Sequence, residues 1–161
     1  MSNQAQLNLD RLAAKHAQAI VRRIVDEEET QRDKEPDKKK TKQQLSNDTD
    51  NTVTKALGVL QENGVYACFL YLLAKEKENG KVVAEEMLNL LEGLRFGWRA
   101  PKNNGKTDSR AEVVLPFISD TVTENLERLL LAKETLEQML IYARYGAKAR
   151  GQGGGNDLES L

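Results

Sequence analysis

One cysteine, one histidine and three prolines occur among the 161 residues, and each scarcity excludes something. A single thiol, Cys68, forms no disulfide within the chain. It sits in the apolar run Val65-Tyr66-Ala67-Cys68-Phe69-Leu70, where a cysteine acts as a small core residue of a reducing compartment. His16 is far from Cys68 in sequence, so the two make neither a nucleophile–base pair nor a zinc site. Glu85 and Glu86 are adjacent and point different ways on a helix. No Glu-x-x-His pair exists to build a di-iron bundle. Asn104-Gly105-Lys106-Thr107 ends like a phosphate-binding P-loop, but Ala100 stands where that motif needs its first glycine. No enzyme, metal or cofactor is expected. Apolar runs of membrane-spanning length are lacking too. The polar start, Met1-Ser2-Asn3-Gln4-Ala5-Gln6, has neither the basic opening nor the apolar stretch of a signal peptide. The expectation is a cytoplasmic protein without a membrane partner.

Charge of one sign is also lacking. Lysine and arginine number 24 against 25 acidic residues, a formal net charge of -1. That balance argues against a generally basic nucleic-acid coat and leaves room for local basic faces.

What is present is helical periodicity. Leu9, Leu12, Ala13, His16, Ile20 and Ile24 recur every three or four residues and predict a helix over about 5–28. Residues 26–50 mix both charge signs around Pro36 and hold little apolar content, so they read as a charged flexible connection. Asp50-Asn51-Thr52 offers caps for a second helix through Glu62, which Asn63-Gly64 then breaks. The apolar stretch 65–78 predicts a central buried helix, stopped by Asn79-Gly80. Val83, Met87, Leu90, Leu91 and Leu94 mark a fourth helix. The stretch 97–106 reads as a long loop, and 113–118 as either a docked loop or a short helix start. A last helix is expected from Ser119 or Asp120 to Ala149, with a weak point near Lys133–Thr135, followed by a disordered glycine-rich tail, 151–161. The sum is all-α: one domain over 1–150, an irregular bundle of about five helices without strands.

Two basic windows stand out. Arg95, Arg99, Lys102, Lys106 and Arg110 cluster around Trp98 with only Asp108 opposing them in sequence. Arg144, Lys148 and Arg150 lie with Tyr142 and Tyr145 at the end of the last helix, with no acid adjacent. Cations neutralise phosphates and aromatic rings stack on unpaired bases. The plainer alternatives are cations complementing a helix dipole and a tryptophan that anchors its loop. Lys38-Lys39-Lys40 is a further phosphate candidate, or simply solvated.

The segment Ala56-Leu57-Gly58-Val59-Leu60-Gln61-Glu62-Asn63-Gly64-Val65-Tyr66-Ala67-Cys68-Phe69-Leu70-Tyr71-Leu72-Leu73-Ala74-Lys75 resembles the central signature of the small helical subunit of type III-B CRISPR effectors (the Cmr module). In that family one helix ends in an asparagine-glycine turn, and an apolar helix follows and closes on a lysine. Residues 12–25 look like its opening helix and 136–150 like its closing aromatic-basic helix. The connection at 26–50, the 97–110 loop and the tail depart from it. The resemblance implies a subunit that cuts nothing. It implies stacking in several copies beside the other effector subunits, lining the groove where target RNA pairs with guide RNA. Protein contacts would then be to backbone and shape. Arg95, Arg99, Arg144 and Lys148 are the leading candidates for phosphate contact, followed by Lys75 and Lys55. The alternative is a protein-binding helical adaptor without direct nucleic-acid contact.

Overall fold

The computed structural model describes residues 7–27 and 40–152, and these form six α-helices and one minimal β-ladder. The all-α expectation holds in outline and shifts in detail.

Helix α1 spans Leu9–Val21. The Asn8 side chain caps it, accepting the Arg11 backbone N–H at 3.0 Å. It runs directly into a π turn, Arg22–Asp26. Ala13, Ala17, Ile20 and Ile24 are buried, so the packed face runs from small residues at its start to large ones at its end.

Helix α2 spans Lys42–Asn63 and overturns the expected start at Asp50. Thr41 and Gln44 form a reciprocal capping box: the Thr41 hydroxyl accepts the Gln44 N–H at 3.1 Å, and the Gln44 amide oxygen accepts the Thr41 N–H at 2.8 Å. The first three turns are polar, so no apolar stripe marks them. They are held by burying Leu45 with Val21, Val25 and Ala147 of neighbouring elements. Thr49, fully buried, donates its hydroxyl to the Leu45 carbonyl at 2.8 Å. The rest of the expected flexible connection, 28–39, lies outside the described residues.

Gly64 has φ 97, a conformation that costs a glycine little and ends α2 as expected. Helix α3, Val65–Lys75, follows at once and buries Cys68, Phe69 and Leu72 completely. Helix α4, Glu78–Gly93, begins before Asn79-Gly80 rather than after it. Gly80 is therefore no stop. It is buried in the first turn of α4, where an added Cβ would lie 2.4 Å from the Leu72 carbonyl oxygen.

The expected loop holds a hairpin. Strands β1 (Lys102–Asn103) and β2 (Lys106–Thr107) pair antiparallel around Asn104-Gly105. Both turn residues have positive φ, 54 and 79, which is the type I′ geometry that asparagine-glycine favours. Trp98 is 8% exposed and packs edge-on against Phe96, ring centroids 4.9 Å apart, so it anchors the loop. Helix α5, Ala111–Phe117, contains Pro116, whose ring nitrogen has no hydrogen to donate, and the backbone opens after it into a π turn, Ile118–Val122.

Helix α6, Leu126–Gly151, starts later than expected, capped by Asn125. It does not break at Lys133–Thr135. Thr135 is buried and donates its hydroxyl to the Leu131 carbonyl at 2.8 Å, so the polar interruption of the stripe is satisfied. Helix α6 packs along both α1 and α2. Of the expected tail, Gly151 closes α6, and 153–161 lies outside the described residues. Among the described residues no helix is long and apolar enough to cross a membrane.

Candidate nucleic-acid interface

A cleft of about 530 Å³ lies between α2 and the junction of α3 with α4. Lys40, Lys55, Lys75 and Lys77 line it, with Asp48, Glu76 and Glu78 as the acids. Those acids are already engaged. Asp48 holds Lys40 at 2.7 Å. Glu76 accepts the Thr52 hydroxyl at 2.9 Å and the Tyr71 phenol at 2.7 Å. Burial and this carboxylate together push the Tyr71 phenol up to about 12, so it stays a donor at neutral pH. Glu78 faces Lys81 at 3.4 Å. Lys55, Lys75 and Lys77 are exposed, and their side chains make no ion pair or hydrogen bond among the described residues. Four lysines against three carboxylates leave the lining with a small positive excess that the chain's overall balance conceals.

The cleft exists because α2, broken at Gly64, folds back as α3, and because Gly80 lets α4 approach the end of α3. Lys55 and Lys75 are brought together by that return. The reading of single windows ranked them last, and it missed Lys77 because Lys75-Glu76-Lys77-Glu78 looks only like a helix end.

The leading candidates are differently placed. Arg144 and Lys148 share an acid, Asp50 of α2, at 3.5 Å and 3.9 Å. Arg150 pairs with Asp26 at 3.1 Å, and Tyr142 donates to Asp10. The acids absent from the sequence neighbourhood arrive from other helices. In the other window Lys102 is held by Glu92 at 2.7 Å, and Arg110 by Asp108 at 2.8 Å and Glu112 at 3.7 Å. Asp108 is therefore not the sole opposing acid. Arg99 and Lys106 are exposed and make no ion pair among the described residues. Arg95 is exposed with φ 64, directly after the α4 cap residue Leu94.

A second polar cluster was not foreseen. Glu86, side chain 8% exposed, accepts from Arg23 at 2.9 Å and contacts His16 Nδ1 at 3.1 Å. Glu85 accepts from the same guanidinium at 2.6 Å and from the Ser109 hydroxyl at 2.9 Å. Adjacent carboxylates do splay on a helix, but one guanidinium fork bridges the splay. Burial raises the Glu86 carboxyl. The hydrogen bonds from His16, Arg23 and Asn89 outweigh that and hold it below the usual range. The cluster ties α1 to α4, and it is filled by its own partners.

Cys68 is fully buried and donates weakly to the Ala56 carbonyl at 3.4 Å. Burial pushes its thiol up to about 12, so little thiolate forms at neutral pH. Alkylation of the folded chain at pH 8 should accordingly be at least a hundredfold slower than in denaturant, as mass spectrometry would follow. Among the described residues no group of three or more His, Cys, Asp or Glu is placed to hold a metal ion.

No family model, curated protein or solved structure matches this chain.

Proposed function

We propose that this chain is a non-catalytic helical subunit of a cytoplasmic RNA-guided assembly, of the kind the type III-B small subunits represent. Its partners are copies of itself, the other effector subunits, and guide and target RNA. The observation that supports this reading best is the convergence on one cleft of Lys55, Lys75 and Lys77, whose side chains have no ion pair among the described residues. Lys75 closes the segment that carries the family resemblance, and Lys55 directly precedes it. Lysine is a flexible point charge suited to a phosphodiester backbone, where register is fixed without reading sequence. A second reading, a protein-binding adaptor, draws on Leu126 and Leu130. They are 67% and 54% exposed at i and i+4 on the first turns of α6.

The test is the triple variant K55E/K75E/K77E, with binding of single-stranded RNA measured from low to high salt. Each lost phosphate contact should lower the slope of log affinity against log salt by about 0.7, so three should lower it by about 2. Circular dichroism should not change, since all three side chains are exposed. No base preference should change. Unaltered affinity and slope would put the adaptor reading ahead.

A further inference from the structure

Helices α1 and α6 leave a trough of about 300 Å³ along their seam, floored by Ala14, Ala17 and Val21 of α1 and Gly146 of α6. Tyr142 donates to Asp10 at one end, and Arg150 holds Asp26 at the other. Tyr142 and Arg150 are eight residues apart on α6, so the trough is about 12 Å long, a little over two helical turns. Gly146 lies inside a helix, where glycine is a poor choice. A Cβ added there would meet one atom only, Val21 Cγ2 at 3.3 Å. Helix packing therefore accounts for this glycine only in part, and its missing side chain leaves the trough unfilled.

The α1 rim is basic. Arg11, Gln18 and Arg22 continue the stripe of Ala14 at i−3, i+4 and i+8, with Lys15 beside it, and all four are exposed. At the Arg150 end the cations are matched, Arg150 by Asp26 and Arg22 by Glu27 at 3.8 Å. At the other end Asp10 is engaged by Tyr142, and the side chains of Arg11 and Lys15 make no ion pair among the described residues. Helix stability does not account for these two. Arg11 stands in the first turn of α1, where a cation opposes the helix dipole. Like charges at i and i+4 repel as well.

We propose that this trough receives an acidic amphipathic helix of another protein subunit. Apolar side chains at i, i+3 or i+4, and i+7 lie along the small-residue floor, and carboxylates beside them reach Arg11 and Lys15. The charge is complementary, and two turns of helix match the length of the trough. RNA fits less well, because it would need rings to stack on, and the aromatic residue of the lining, Tyr142, is half-buried and held by Asp10. The trough is separate from the lysine cleft and from Leu126 and Leu130, so this inference does not rest on the RNA-contacting reading.

The probe is a synthetic helical peptide with leucine at i, i+4 and i+7 and glutamate at the flanking positions, titrated onto the full chain. The methyl resonances of Ala14, Ala17 and Val21 should shift saturably in NMR spectra, while those of Leu126 and Leu130 stay in place. R11E/K15E reverses two exposed charges and should weaken binding by about tenfold or more, with circular dichroism and melting temperature unchanged. K55E/K75E/K77E should bind the peptide as the wild type does. The proposal falls if those methyls do not shift, or if R11E/K15E binds unchanged. It falls if peptides with glutamine for leucine, or lysine for glutamate, bind equally well. Displacement of the peptide by single-stranded RNA would reassign the trough to nucleic acid. Tenfold tighter binding to a chain ending at Gln152 would make residues 153–161 its occupant. Concentration-dependent shifts of the same methyls in the chain alone would make it a second copy. Each of these three results also overturns the assignment to a partner helix.

Discussion

Glu86→Ala should be among the most destabilising single substitutions in this chain, by about 3–5 kcal/mol. Removing a carboxylate from a buried ion pair is costly, and Glu86 also contacts His16 Nδ1. His16, with its side chain 13% exposed, loses its contact, and Arg23 keeps only Glu85. For a domain of this size a kcal/mol is worth about 2–4 °C of melting temperature, so a drop on the order of 10 °C is expected. Glu85→Ala should cost clearly less, because Glu85 is more exposed and Arg23 retains the inner carboxylate. Acid should mimic the larger loss. The Glu86 carboxyl is held below its unfolded range. Its contribution is therefore complete above the ordinary glutamate range and disappears as pH falls through that range towards the folded value. Thermal melts between pH 3 and 7 should show a slope in the wild type that Glu86→Gln reduces. A melting temperature of Glu86→Ala within a degree or two of wild type would mean that the cluster does not hold α1 to α4.

How much of this was legible in the residues depends on what carried the information. The elements built on apolar stripes, α1, α3 and α4, were readable because burial sets the spacing. The first turns of α2 were not. They are helical through a capping box and tertiary burial of Leu45 and Thr49, and only Thr41-x-x-Gln44 signals them. The two asparagine-glycine pairs show the limit of local rules. Asn63-Gly64 sits between helical patterns and ends a helix, whereas Asn104-Gly105 makes the hairpin that its dipeptide favours. No alternating flanks announced that hairpin, because each strand is only two residues long. Charges were the least legible. Windows rich in arginine looked free because their acids, Asp26, Asp50 and Glu92, come from other helices. Lys55 and Lys75 looked isolated because the chain turns back between them.

Two glycine-to-alanine changes should have opposite signs, and the contrast tests the packing that shapes the cleft. Gly58 lies inside α2 with nothing within 4 Å of an added Cβ. Alanine there should stabilise by about 0.5–1 kcal/mol, since glycine in a helix costs that much in chain entropy. Gly80 also lies in a helix, so propensity alone favours alanine equally. Sterics decide against it. The new Cβ would stand 2.4 Å from the Leu72 carbonyl oxygen and 2.6 Å from the Glu76 Cβ. A backbone oxygen cannot rotate aside as a side chain does, so the end of α3 and the start of α4 must separate. Overpacking of this kind costs about 1–3 kcal/mol, with the upper end expected here. The displacement also reaches the cleft. Glu76 is drawn away from Thr52 and Tyr71, and Lys75 and Lys77 move apart from Lys55. Gly80→Ala should therefore melt several degrees below wild type and Gly58→Ala slightly above it. Only the former should lose RNA affinity, and its salt slope should move in the same direction as that of K55E/K75E/K77E. A Gly80→Ala variant as stable as Gly58→Ala would mean that α3 and α4 do not approach through this glycine. The convergence of the three lysines would then need another cause.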